Sequence, residues 1–300
     1  MSIPLDHHFV PAFYLRQWCN SGGKVIEYSI KNKKLVSKLV GPEATGYETA
    51  LYAFPELPPE QAQHIEQRFF DYADRVAAEA LRIQLTSPKI SWMPEHRSAW
   101  SRFVVGLHLR HPDAMPELRA AAKSIWEGSG ESSQQEYERI KEPSDPPTFD
   151  QYIEATDPLV PVKARMNLIV KAIDNPIVGT HINNMSWDVL DLSSSSRSLL
   201  TSDRPVGFFA IKSPKGMISL PLSPTKLFIA VNDPKLIDVL RKKNPREIVG
   251  HANEHLTIRA RRFVWAAGPS QANFIQKKMS TQLEPLPLFK NLGTYNTQRT

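Results

Sequence analysis

The spacing of apolar positions divides the chain into three regions of different character. Val25-Ile26-Glu27-Tyr28-Ser29-Ile30 and Leu35-Val36-Ser37-Lys38-Leu39-Val40 flank the polar Lys31-Asn32-Lys33-Lys34, a pattern that predicts a β-hairpin. After a Gly- and Pro-bearing loop with Tyr47 and Tyr52, Pro58-Pro59 opens a predicted long helix running to about Gln84. Its apolar residues Ile65, Phe69, Tyr72, Val76, Ala80 and Ile83 recur at steps of three and four, one stripe along a helix. A second helix is expected from about Pro94 to His111, with Trp100, Phe103, Val104 and Leu107 on one face and Pro112 as its stop. A third follows to about Glu127. Residues 128–147, rich in Ser, Glu, Gln and Pro, read as a surface excursion, and helical patterns resume near Phe149 and from Val162 to Ile173.

From Trp187 the pattern changes to short apolar runs separated by Ser, Pro, Lys and Gly. The runs Val189-Leu190, Leu199-Leu200, Val206 to Ile211, Met217 to Leu222 and Leu227 to Val231 predict an antiparallel meander. A helix from about Pro245 to Arg261 and a strand over Phe263 to Ala266 complete the series. Strand pair, helices, then strands is an α+β order rather than alternating βαβ. We therefore expect one α+β domain over residues 1–300. Its parts are an N-terminal motif and hairpin (1–57), a helical part (58–173), a sheet part (185–268) and a C-terminal helix and tail (269–300). A lone hairpin is marginally stable, so the first one should join or pack on the later sheet.

Composition adds bounds. Three hundred residues, 41% hydrophobic and 23% charged, suffice for a large core without disulfides or structural metal. The single cysteine, Cys19, cannot pair within the chain and points to a reducing compartment. Asp6, His7 and His8 break the N-terminus early, and no run approaches the roughly 20 apolar residues of a membrane span. A cytoplasmic protein with no membrane partner is expected, of unspecified oligomeric state. Charge is uneven. Residues 1–150 carry 17 Lys and Arg against 20 Asp and Glu, and residues 151–300 carry 20 against 11. The basic second half is a candidate surface for nucleic acid or a phosphate-bearing ligand, densest at Arg241, Lys242, Lys243, Arg246, Arg259, Arg261 and Arg262. A solubilising surface is the plainer alternative.

The opening His7-His8-Phe9-Val10-Pro11-Ala12-Phe13-Tyr14-Leu15-Arg16-Gln17-Trp18 sets two titratable side chains before a dense aromatic run. It resembles the opening of the bacterial family known as domain of unknown function 4238. The resemblance continues through Glu66, Arg110-His111-Pro112, Thr201-Ser202-Asp203-Arg204-Pro205, Pro221-Leu222-Ser223-Pro224, Asn253 and Arg262-Phe263-Val264. One position departs from the family pattern: Arg204 stands where Asn is frequent and brings a cation beside Asp203. The resemblance implies an identity without an activity.

Imidazole and carboxylate are ligands of catalytic divalent metals and also form acid–base pairs. His8 and Asp203 are therefore candidate catalytic residues and metal ligands, brought together if the N-terminal motif returns to the sheet. Glu66 would orient them or act as base, and Arg110 would stabilise developing negative charge. On this reading the protein is a metal-assisted hydrolase of phosphodiesters or nucleic acid, its cofactor a divalent metal. The alternative is a non-catalytic binding or regulatory protein, such as a bacterial defence component, whose motif residues are structural. His251-Ala252-Asn253-Glu254-His255 matches the pattern of inverted zinc peptidases, but Glu284, in a Pro-flanked tail, is the only acidic residue after it. His96 and His111 lie about 22 Å apart along a helix and cannot share an ion. No Gly-rich phosphate loop and no Gly-x-Ser-x-Gly elbow occur.

Overall fold

The computed structural model describes residues 6–58, 61, 70–87 and 92–279. Strand β1 (Asp6–His8) pairs antiparallel with β4 (Tyr47–Thr49), forming a short ribbon. Between them lie α1 (Ala12–Leu15), β2 (Val25–Lys31) and β3 (Lys34–Val40). Asn32 and Lys33 both adopt positive φ, +50° and +63°, as the tight two-residue turn of a hairpin requires. The expected hairpin is therefore present, and it does not stand alone. Strand β2 pairs with β10 (Val264–Ala266), and β10 with β6 (Thr201–Ser202), giving the order β3-β2-β10-β6.

A second antiparallel sheet has the order β5-β9-β8-β7, from β5 (Ser186–Asp191), β7 (Gly207–Phe209), β8 (Met217–Ser223) and β9 (Lys226–Val231). The expected single meander is thus divided. Strands β7, β8 and β9 follow one another, but β6 leaves to join the N-terminal hairpin, and β5 pairs back onto β9. Short apolar runs carry no record of their partners, so the pattern alone could not separate the two sheets.

The helical layer comprises α2 (Asp71–Thr86), α3 (Pro94–Leu109), α4 (Met115–Gly128), α5 (Gly130–Ile140), α6 (Phe149–Thr156), α7 (Val160–Ile173) and α8 (Pro176–Asn184). Later come α9 (Lys235–Arg241), α10 (Pro245–Arg259) and α11 (Ala272–Lys278). Helix α3 is central: from Ala99 to Leu109 every residue except Arg102 is buried. Of the stripe expected on the long helix, Ile65 and Phe69 lie outside the described residues, Ala80 is buried as expected, and the rest is displaced. Tyr72 is exposed, while Ala77, Ala80, Leu81 and Gln84 face the core. Small alanines let α2 lie close against α3, a gain that a search for large apolar residues overlooks. Residues 130–140, expected as an irregular excursion, form the mostly exposed helix α5.

The N-terminal motif is fastened from several sides. The amides of Phe9 and Val10 both donate to the Gly46 carbonyl, at 2.9 and 3.0 Å. Tyr14 Oη donates to the Pro221 carbonyl at 2.7 Å and bonds Thr201 Oγ1 at 2.9 Å. Trp18 Nε1 donates to the Leu199 carbonyl at 2.9 Å. Three segments far apart in sequence are thereby joined around one aromatic plug, Phe9, Tyr14 and Trp18, all fully buried. Among the described residues no helix is long and apolar enough to cross a membrane.

Candidate functional site

Successive side chains of a strand point to opposite faces, so His7 and His8 cannot share an environment. His7 is fully buried, stacked on Tyr52 with ring centroids 5.4 Å apart, and its Nδ1 accepts the Tyr52 amide at 3.0 Å. With Nδ1 accepting, the neutral ring carries its proton on Nε2. His8 lies half-buried against Tyr47. Burial lowers its pKa, and the Glu43 carbonyl and the charges of Asp6, Asp74 and Glu43 oppose that shift.

Tyr52 continues inward, its hydroxyl donating to the Arg110 carbonyl at 2.9 Å. Arg110, at the end of α3, is 1% exposed. Its guanidinium grips Asp74 of α2 with two hydrogen bonds, 3.0 and 2.8 Å, and stacks over Phe70 at 4.8 Å. The planar fork matches a carboxylate in the way Lys could not. Asp74, a carboxylate that sequence reasoning missed, thus neutralises Arg110, and its charge is one of those opposing the lowering of the His8 pKa. Glu66, the expected orienting residue, lies outside the described residues.

Asp203 follows β6 directly and is fully buried. Its Oδ1 accepts the Arg261 amide at 3.0 Å, and Oδ2 accepts the amides of Arg262 at 2.5 Å and Phe263 at 3.2 Å. Its own amide donates to the Phe263 carbonyl at 3.1 Å. The carboxylate closes the turn between α10 and β10. Its nearest imidazole is not that of His8 but of His111, whose Nε2 is 3.7 Å from Oδ2. His111 Nδ1 accepts the Asp113 amide at 3.1 Å, so the neutral ring presents an N–H toward Asp203 and offers no free lone pair.

Charged groups surround this pair. Asp113 binds Arg261 Nε at 2.6 Å and Arg204 Nη2 at 3.4 Å. Burial alone would raise the Asp113 pKa, but the Arg261 hydrogen bond and the charges of Arg261 and Arg204 hold it below the usual range. Burial, then repulsion from Arg261, pushes Arg204 down to about 10. His108, one turn before His111, is pushed down to about 3 by burial, with Arg259, Arg204 and His111 adding to the shift. The spacing His108-x-x-His111-x-Asp113 is the sequence signal for this cluster.

Among the described residues this arrangement leaves few lone pairs open to a metal ion. Among the described residues no three His, Cys, Asp or Glu side chains are grouped to hold an ion. The oxygens of Asp203 already accept three amides, which leaves about one of the carboxylate's four acceptor positions, on Oδ1. Four of the seven basic residues named for the second half are engaged internally. Arg241 pairs with Asp188, Arg261 with Asp113 and Arg262 with Glu48, and Arg259 donates to the Val206 carbonyl.

The other chemically distinctive place is a cavity of about 420 Å³ between the β5-β9-β8-β7 sheet and helices α9 and α10. Leu190, Phe209, Leu227, Ile229 and Ile248 contribute apolar walls, and Lys243, His251, Glu254 and His255 add charged and polar groups. The His-x-x-Glu-His segment thus lines this cavity. Glu254 is held by Lys278 at 2.5 Å, and His255 lies 3.5 Å from Arg259 Nη1. Because guanidinium can only donate, His255 Nε2 accepts and its proton sits on Nδ1. Burial, reinforced by Arg259, pushes His255 down to about 4 and keeps the ring neutral near neutral pH.

Two antiparallel sheets, a central buried helix and a His–Arg–Asp cluster in which His108 Nε2, His111 Nε2, Arg204 Nε and Arg261 Nη1 stay buried without a hydrogen bond among the described residues define an α+β protein whose motif residues tie distant segments together. The family model described as "Protein of unknown function (DUF4238)" matches residues 6–269, and the chain belongs to that family. No curated protein and no solved structure matches the chain.

Proposed function

We propose that the protein binds a small molecule without transforming it, and that its motif residues are scaffold. The observation that carries this reading is the Asp203 carboxylate, fully buried with both oxygens accepting backbone amides. A general base or metal ligand needs a lone pair facing substrate or ion, and this fully buried carboxylate directs three of its about four acceptor positions to the turn it closes. His111 supports the same reading in part: one ring nitrogen accepts an amide, and the other faces Asp203 at 3.7 Å without a hydrogen bond. Binding is assigned to the cavity beneath α10, whose volume falls within the range of about 300–1,000 Å³ common for ligand pockets.

The test sets this reading against metal-assisted phosphodiester hydrolysis. Purified protein is incubated with single- and double-stranded DNA, RNA and bis(p-nitrophenyl) phosphate, with Mg²⁺, Mn²⁺ or Zn²⁺. In parallel, an environment-sensitive apolar fluorophore is titrated into wild type and Ala252→Trp, whose indole intrudes on the cavity. We expect no metal-dependent turnover, saturable fluorophore binding, and loss of that binding in Ala252→Trp. Turnover that disappears in Asp203→Asn, while the variant stays folded, would overturn the binding reading in favour of a hydrolase.

A further inference from the structure

We propose that the cavity between the β5-β9-β8-β7 sheet and α10 takes a free single-chain amphiphile, an aliphatic body with an anionic head. This rests on the assignment of binding to that cavity and adds the chemistry of its occupant. Each end of the ligand is matched by a different part of the lining.

The body follows from the walls. Leu190, Leu227 and Ile229 from the sheet face Leu240 and Ile248 from the helices, with Phe209 and Met217 beside them. Such walls offer an aliphatic chain burial without leaving polar groups unsatisfied, worth about 25 cal/mol per Å² removed from water. Met217 can adjust its shape to an irregular chain.

The head follows from the charges. Lys243 lines the cavity, is exposed, and has no ion pair among the described residues. The one carboxylate among the described lining residues, Glu254, is neutralised by Lys278. Behind His255 stands the Arg259 guanidinium, bonded to a backbone carbonyl rather than to a carboxylate among the described residues. His255 itself supplies a neutral ring whose remaining proton, on Nδ1, is a donor. A carboxylate or phosphate head would meet Lys243 and a ring N–H; an ammonium head would meet uncompensated positive charge. The concave shape favours one free chain over a bilayer surface.

The experiment is calorimetric titration of the full chain with decanoate, decanol and decyltrimethylammonium, each below its micelle concentration. Decanoate should bind with one site per chain and on the order of tenfold more tightly than decyltrimethylammonium, with decanol between them. Lys243→Glu should weaken decanoate by about fivefold, the scale of an exposed charge interaction, and more than it weakens decanol. Lys242→Glu, its neighbour outside the cavity lining, should change decanoate binding by less than about twofold. Equal binding of all three probes, abolished by Ala252→Trp, would overturn the anionic head and leave the cavity assignment standing. Failure of every probe to bind would overturn both. Sedimentation with phosphatidylglycerol vesicles, without uptake of free decanoate, would replace the free amphiphile with a membrane surface.

Discussion

His7 Nδ1 accepts the backbone amide of Tyr52 while the two rings lie stacked with an interplanar angle of 6°. One side chain thus supplies both a hydrogen bond and an apolar face to the loop that leads to Arg110. His7→Ala should leave that amide unpaired inside the core and cost about 3 kcal/mol. His8→Ala, one residue on and half-buried, should cost less than about 1 kcal/mol. Urea midpoints of the two variants measure the difference. The reverse order would show that His8 is the anchoring residue.

Asp203→Asn tests the turn that closes onto β10. An amide side chain has one acceptor oxygen where the carboxylate has two, and its NH₂ would oppose a backbone N–H. We expect a loss of about 2 kcal/mol, read as a lower urea midpoint with an unchanged slope. A variant as stable as wild type would mean that the three amide contacts contribute little, and would make Asp203 a candidate chemical group again.

His108 sets a pH dependence. Its folded pKa is pushed down to about 3, chiefly by burial, while an unfolded His titrates near 6.5. The unfolded chain therefore takes up the proton first as pH falls. The contribution of neutral His108 is full above about pH 6.5 and is lost progressively toward about pH 3. His108→Leu should accordingly show a shallower fall in stability than wild type between about pH 7 and pH 4. Parallel curves would show that His108 does not titrate in that window.

Gly46 sits at φ +69°, and a Cβ there would lie 3.0 Å from the Val10 carbonyl oxygen. Its own carbonyl accepts the amides of both Phe9 and Val10. Gly46→Ala must strain this left-handed turn or push the N-terminal motif away. A cost of about 1–2 kcal/mol is expected, measured as a fall in melting temperature. An unchanged melting temperature would mean that the motif does not depend on this close approach.

Parts of the architecture are legible in the amino-acid sequence alone. The hairpin is readable because two β-rich runs bracket a polar turn. The helix from Pro94 is readable because Pro sets its start and Trp100, Phe103, Val104 and Leu107 keep its period. The packed face of α2 is legible only in part: Ala80 falls on the expected stripe, whereas Ala77, with little hydrophobic signal of its own, does not. The site is legible only in composition. Asp203, Arg110 and His111 stand out as residues, yet Asp74, Tyr52 and Asp113 do not. A side chain that matters by pairing has no signature apart from its partner.

The amino-acid sequence by itself determined the local elements and the α+β class, since turn chemistry and periodicity act over a few residues. It also carried the family membership, through motifs spread along residues 6–269. Tertiary structure alone decided that β6 joins the hairpin sheet, that His111 rather than His8 faces Asp203, and that Asp203 closes a turn. It alone placed His251, Glu254 and His255 along an apolar cavity. These outcomes depend on which segments meet across as many as about two hundred residues. That choice is made by burial and hydrogen-bond satisfaction summed over the whole chain, which no local pattern records.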